Sequence, residues 1–170
     1  MRNLMIIALF AMVISSCDLK EDYEVEKSKV VEAAGQWYVM YNHETFGEDP
    51  FGAGFTALKT FNTSDDNGQE IWLTDEGNFW DYKVKIPVNL EAMTFGREDT
   101  VINEVADYNI KVIVRNGKII KNASVQPSGA TTDSIYFEIW FEDLEAATEI
   151  ANDKLLVSGF RRTGFLEDEH

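Results

Sequence analysis

Tyr108-Asn109-Ile110-Lys111-Val112-Ile113-Val114-Arg115-Asn116-Gly117-Lys118-Ile119-Ile120-Lys121-Asn122-Ala123-Ser124-Val125 decides how this chain folds. Tyr108, Ile110, Val112 and Val114 alternate with Asn109, Lys111, Ile113 and Arg115. A period of two places the first set on one face of an extended chain. Asn116-Gly117 follows at once. Both residues tolerate positive φ, which a two-residue hairpin turn of type I′ demands. The pattern predicts a strand, a tight turn at Asn116-Gly117, and a return strand from Lys118 to Val125.

The same rhythm extends in both directions. Phe79 to Pro87 sets Trp80, Tyr82, Val84 and Ile86 against Asp81, Lys83 and Lys85, and Ser134 to Phe141 sets Ile135, Phe137, Ile139 and Phe141 against Tyr136, Glu138 and Trp140. Further strands are expected over Gln36–His43, Phe55–Asn62, Glu70–Asp75 and Lys154–Thr163, with a turn at Asp65-Asp66-Asn67-Gly68. Lys27 to Ala34 reads as a short helix, and Asp143 to Asp153 as one helix before the last strand. About eight antiparallel strands with no strand–helix–strand alternation suit a closed barrel or a two-sheet sandwich. A barrel of that size holds packed side chains or one small ligand.

Composition narrows the partners. The 170 residues carry 15 Lys+Arg against 30 Asp+Glu, a formal charge of −15. Nucleic acid is excluded as a partner, because a phosphate backbone calls for clustered cations. Electrostatic docking to anionic lipid is disfavoured for the same reason. One Cys rules out an internal disulfide and a Cys-rich zinc site. With two His in all, no metal site and no cofactor is implied.

The first residues read as an address. Met1-Arg2-Asn3 is followed by an unbroken apolar run from Leu4 to Ile14, too short to span a bilayer. A charged start, a short apolar run and a small-residue exit describe a secretory signal peptide. The exit Ile14-Ser15-Ser16-Cys17 resembles the bacterial lipobox. That resemblance implies cleavage before Cys17 and acylation of Cys17, so that the lipid bilayer becomes a partner through the acyl chains. Asp18 to Glu26 (DLKEDYEVE) is acid-rich and resembles the surface-export signals of some Gram-negative gut commensals. The expectation is an outer-membrane lipoprotein exposed at the cell surface, with a periplasm-facing anchor as the alternative. The chain then divides into a signal peptide (1–16), a lipidated Cys with acidic tether and short helix (17–34), and a barrel domain (35–170).

A second resemblance favours the barrel. Gly35-Gln36-Trp37 opens the first strand, and Gly159-Phe160-Arg161-Arg162-Thr163-Gly164-Phe165 closes the last. Together they resemble the lipocalin-like (calycin) arrangement, in which a first-strand Trp plugs one barrel end and a last-strand Arg stacks on it. The resemblance makes Trp37 and Arg161 the barrel-closing pair. More specifically, four segments are similar to the lipid-binding putative hydrolase family of small bacterial lipoproteins. They are Trp80-Asp81-Tyr82-Lys83-Val84, Asn116-Gly117-Lys118-Ile119-Ile120, Thr132-Asp133-Ser134-Ile135-Tyr136-Phe137, and Arg161 through Asp168. What this implies is an eight-stranded up-and-down lipocalin-like barrel on a lipid anchor, binding a lipid or another apolar small molecule.

Few residues offer chemistry. A serine hydrolase needs a nucleophile, a base and an orienting acid. His43 is the one internal histidine, and no G-x-S-x-G elbow is present. No catalytic residue is assigned. Strand aromatics are in excess, and Trp80, Tyr82, Tyr108, Ile110, Phe137 and Ile139 form the candidate ligand pocket. The loop His43 to Gly54 (HETFGEDPFGAG) is long enough to act as a lid. The expected function is non-catalytic binding of a small apolar or amphipathic ligand in the barrel. One alternative is a packed barrel that binds a protein or glycan partner at the surface, and a second is a hydrolase.

Overall fold

A computed structural model describes residues 26–170. Residues 1–16, Cys17 and the tether as far as residue 25 lie outside the described part. Nine strands follow one another: β1 (Gly35–His43), β2 (Thr56–Asn62), β3 (Glu70–Thr74), β4 (Lys83–Asn89), β5 (Thr94–Phe95), β6 (Val101–Ile102), β7 (Lys111–Val125), β8 (Thr131–Phe141) and β9 (Leu155–Arg161). Each barrel strand pairs antiparallel with its neighbour in the order β5-β4-β3-β2-β1-β9-β8-β7, and β5 pairs with β7 to close the circle. This is the closed eight-stranded antiparallel barrel of a lipocalin-like fold. β6 pairs with the start of β7 on the edge that β5 also uses, and the Glu104 N–H just after it donates to Lys83 O of β4.

The count of eight agrees with the sequence reading, but its membership differs. Asn116-Gly117 is not a hairpin turn. β7 runs straight through it, and β8 follows from Val112↔Phe141 to Val125↔Thr131 with register shifts between Arg115 and Lys118 and again between Ile120 and Ser124. Of the two residues only Asn116 has positive φ (54°), so the dipeptide forms a bulge with one extra residue. Its effect on facing is decisive. Val112 and Val114 point inward before the bulge and Ile119 after it, so the extra residue changes the parity and keeps both halves apolar toward the core. The real turn is Gln126 to Ala130, where Gly129 has φ +86° and Gln126 N–H donates to Ala130 O. β5 fills the place that the sequence reading gives to a second strand around Asn116.

Three other expectations are corrected. Lys27–Ala34 forms consecutive turns, not a helix. Ser28 Oγ donates to Asp66 Oδ1 at 2.7 Å and Lys29 N–H to the same carboxylate, which pins this stretch across the β2–β3 turn before a helix can propagate. The helix before the last strand shrinks to α1, Leu144–Thr148, ended by Glu149 with φ 62°. The carbonyls beyond it are used elsewhere: Ala151 O by His43 and Asn152 O by Trp140 Nε1. Two strands start later than their alternation suggests, β4 at Lys83 and β7 at Lys111. Asp75 causes the first of these delays. Its buried carboxylate accepts N–H bonds from Gly77, Phe79, Trp80 and Tyr82 at 2.7–3.1 Å, folding Phe79–Tyr82 into a loop.

The barrel interior is a continuous core. Trp37, Tyr41, Leu58, Leu73, Ile86, Phe137 and Phe141 are all essentially inaccessible to solvent, and they belong to one contiguous cluster with Val39, Val84, Val112 and Val157. Burial of each such side chain favours folding by roughly 1.5–3 kcal/mol before conformational entropy is counted.

Candidate functional site

The residues that sequence analysis singles out fall into three places. Tyr82, Phe137 and Ile139 fill the core itself, at 0%, 0% and 1% exposure. Tyr82 and Tyr41 join their hydroxyls at 2.9 Å, and burial, with the Asp75 charge beside them, pushes both phenols well above the ordinary tyrosine range. Trp80, Tyr108 and Ile110 lie at one end of the barrel, half-buried. Asp143 joins two of them, accepting from Trp80 Nε1 at 3.1 Å and from the Tyr108 hydroxyl at 2.5 Å. Burial first, and then this bond, raises the Tyr108 phenol. Ile110 packs against the core from the same end.

At the other end, the Arg161 guanidinium lies 4.5 Å from the Trp37 ring centroid, and the two residues are paired in the β1–β9 register. Arg161 Nη1 donates to Ala34 O and Nη2 to Glu32 O. Trp37 Nε1 donates to Thr60 Oγ1, which donates to Ala33 O. The cation thus sits over an indole and ties down the turn that precedes β1. Asp133 completes the cluster, 3.2 Å from both Arg161 Nη2 and Lys121 Nζ.

His43 is spent on structure. Its Nδ1 accepts from Thr45 N–H and Phe46 N–H, which leaves the proton on Nε2, facing Ala151 O and Asp153 Oδ1 at 3.0 Å each. The long loop after it is held by Asp49, whose carboxylate accepts from Ala53 N–H and Gly54 N–H. Phe51 from this loop meets Phe79, which stacks on Tyr41 at 3.8 Å, so the loop covers that end of the core.

The open space lies on the outside of the wall. On β9 and β8 small residues interrupt the large ones at outward-facing positions. Ser158 and Ser134 are small, and Met40, Phe160, Ile120 and Tyr136 stand around them. The result is a groove of about 500 Å³ whose floor is the β9 backbone at Ser158–Gly159. Phe55 and Glu48 close its far side. Phe55 packs against Phe160 at 5.3 Å yet keeps 37% exposure, and Ile120 keeps 48%. On the other side of Tyr136 a second groove of about 670 Å³ runs between β4–β5 and β7–β8. None of the six expected pocket residues lines either groove. Sequence reasoning assigns Met40, Ile120 and Phe160 no role. In the sequence each is a single apolar residue at outward parity on its own strand, and only the order β1-β9-β8-β7 brings them beside Ser134 and Ser158.

A family model described as lipid-binding putative hydrolase matches residues 22–166. The chain belongs to this family. The match spans the whole barrel, from before β1 to past β9, and includes every residue of both grooves. No curated protein matches the sequence. Family and barrel together support a lipid-binding role. The hydrolase half of the family's description finds no counterpart at His43, whose two nitrogens are both engaged.

Proposed function

We propose that this chain is a bilayer-anchored lipoprotein that binds a lipid-like molecule on the outer wall of its barrel, without covalent chemistry. The anchor is Cys17, acylated after removal of residues 1–16, and the acid-rich stretch that follows supports display at the outer membrane. Two or more acyl chains give durable attachment where one gives only marginal binding.

The observation that carries the ligand reading is the contrast between a filled interior and an apolar groove left open outside. A chain laid across Ser158–Gly159 would bury Met40, Phe55, Ile120 and Phe160 together. Burial of apolar surface favours this by about 25 cal/mol per Å², less the cost of immobilising the chain. Lipid binding here needs no cavity inside the barrel.

Titration of the full chain with 11-(dansylamino)undecanoic acid tests the reading. A saturable blue shift is expected. I120N and M40N should each weaken it about fivefold, since both positions face outward and tolerate a polar group. Absence of saturable binding, or binding indifferent to both substitutions, would overturn the outer-wall site. For the anchor, radiolabelled palmitate should enter the wild-type chain in a Gram-negative host and not Cys17→Ala.

A further inference from the structure

Tyr136 lines both outer grooves, and the two differ in chemistry. The groove proposed to hold an apolar chain has Met40, Phe55, Ile120 and Phe160 on its walls. Its neighbour across Tyr136 is mixed and carries the charges: Lys118, Glu138 and Asn116 stand beside Pro87, Val88 and Phe95 over a floor of Gly96 and Gly117. Neither glycine has room for a side chain. A Cβ on Gly117 would lie 2.3 Å from the Phe95 ring, and one on Gly96 2.5 Å from Val114 O.

The charges in this second groove are unevenly satisfied. Glu138 is paired, with Arg115 Nε at 3.0 Å and Lys154 Nζ at 3.8 Å. Burial pushes its carboxyl up, and Asn116, Arg115 and Lys154 more than offset that, holding it below the usual range. Lys118 is different. Its ammonium stands 5.0 Å from the Tyr136 ring centroid and has no carboxylate within 4 Å among the described residues. Lys27, Lys29, Lys83 and Lys85 likewise belong to none of the ion pairs among the described residues, and of these five cations only Lys118 lines either groove. At the opposite end of the tandem groove stands Glu48, which belongs to none of the ion pairs among the described residues. From β7 to β1 is three strand spacings, roughly 14 Å. The wall therefore carries a positive end, an apolar middle and a negative end.

We propose that the groove at Lys118 holds the anionic head, carboxylate or phosphate, of the amphiphile whose chain occupies the apolar groove, with Lys118 as its counter-charge and Tyr136 at the junction of head and chain. This inference rests on the lipid-binding reading and adds its polarity: the head lies at Lys118 and the tail end at Phe55 and Glu48. An amphiphile laid the other way would bring its anion against Glu48. At the Lys118 end cationic heads are disfavoured, and neutral heads gain nothing from it.

The test compares heads on similar chains. The full chain is titrated calorimetrically with dodecanoate, dodecyl phosphate, dodecyltrimethylammonium and decyl maltoside below their micelle concentrations, and with inorganic phosphate alone. Wild type should prefer the two anions about tenfold over the maltoside, a preference that shrinks as salt rises. Lys118→Gln should abolish this preference by bringing the two anions down to the affinity of the maltoside, and Lys118→Glu should turn it toward trimethylammonium. Lys118 is exposed and makes no ion pair among the described residues, so both variants should keep the wild-type thermal midpoint. If no amphiphile binds, the lipid-binding reading falls and this inference with it. If all four bind alike and Lys118→Gln changes nothing, this inference alone is overturned. Equal binding of inorganic phosphate would make the groove a site for a free anion and overturn its assignment to a lipid head.

Discussion

At the scale of single residues, Gly159 and Asp75 show how little space and how few donors the barrel leaves to chance. A Cβ on Gly159 would lie 1.9 Å from Tyr38 O, a backbone atom of the paired strand that cannot swing away. Gly159→Ala should therefore spread β1 from β9 where Val39 faces position 159, destabilising the fold by about 3 kcal/mol, as severe overpacking does. Chemical denaturation would read this as a lower midpoint at unchanged slope, and an unshifted midpoint would contradict the close approach. Asp75 works through its two acceptor oxygens. They collect four N–H donors within a buried loop. An asparagine side chain in its place would keep one of those oxygens and turn an N–H₂ donor toward the remaining N–H groups. Asp75→Asn should cost about 3 kcal/mol by leaving buried donors without acceptors. Hydrogen exchange at Phe79 and Trp80 should accelerate ahead of the rest of the barrel.

At the scale of elements, the bulge in β7 is the device that closes the cylinder. It lets one long strand pair with β8 on both sides of Asn116, with β6 at its start and with β5 beyond Asn116. Asn116 holds positive φ there, a conformation that costs most residues about 1–2 kcal/mol and β-branched ones at least as much. Asn116→Val should thus lower the thermal midpoint, whereas Asn116→Gly should keep or raise it; calorimetry on the two variants decides. If valine were tolerated as well as glycine, the bulge would not depend on that backbone conformation. The same element shows what sequence can reveal. Alternation from Ser134 to Phe141 is legible, because its inward side chains end at 2% exposure or less. Asn116-Gly117 misleads because a turn and a bulge ask for the same residue types, and only a partner strand spanning both halves separates them. β5 is invisible, since two residues between Met93 at φ 52° and Gly96 at φ 105° carry no periodicity. The grooves are hidden for a related reason: they arise from side-chain sizes on neighbouring strands, and that adjacency exists only once the order β1-β9-β8-β7 is known.

At the scale of the whole molecule, a charge of −15 sets two opposing dependences on acid. From neutral pH downward, protonating scattered surface carboxylates relieves their mutual repulsion and favours the compact chain. Against this stand carboxylates that folding places beside cations. Burial pushes Asp133 up, but the Asn122 N–H, Lys121 and Arg161 outweigh it and hold Asp133 below its ordinary value. Glu138 is held down in the same way. A carboxyl with a depressed folded pKa contributes its full stability above its unfolded value, near 4, and loses it as pH falls through the folded value. The two effects therefore separate along the pH axis. Thermal stability should hold or rise slightly from about pH 8 to about pH 5, then fall steeply below about pH 4. High salt should flatten the first part by screening surface repulsion and leave the second largely intact, because the Asp133 and Glu138 side chains are only 13% and 12% exposed. Asp133→Asn with Glu138→Gln should start from a lower midpoint at neutral pH and show a shallower acid limb. A double variant whose acid limb stays as steep as the wild type's would place the acid sensitivity in the general charge of the chain rather than in these two clusters, which join the turn before β1, β7, β8 and β9 into one closed wall.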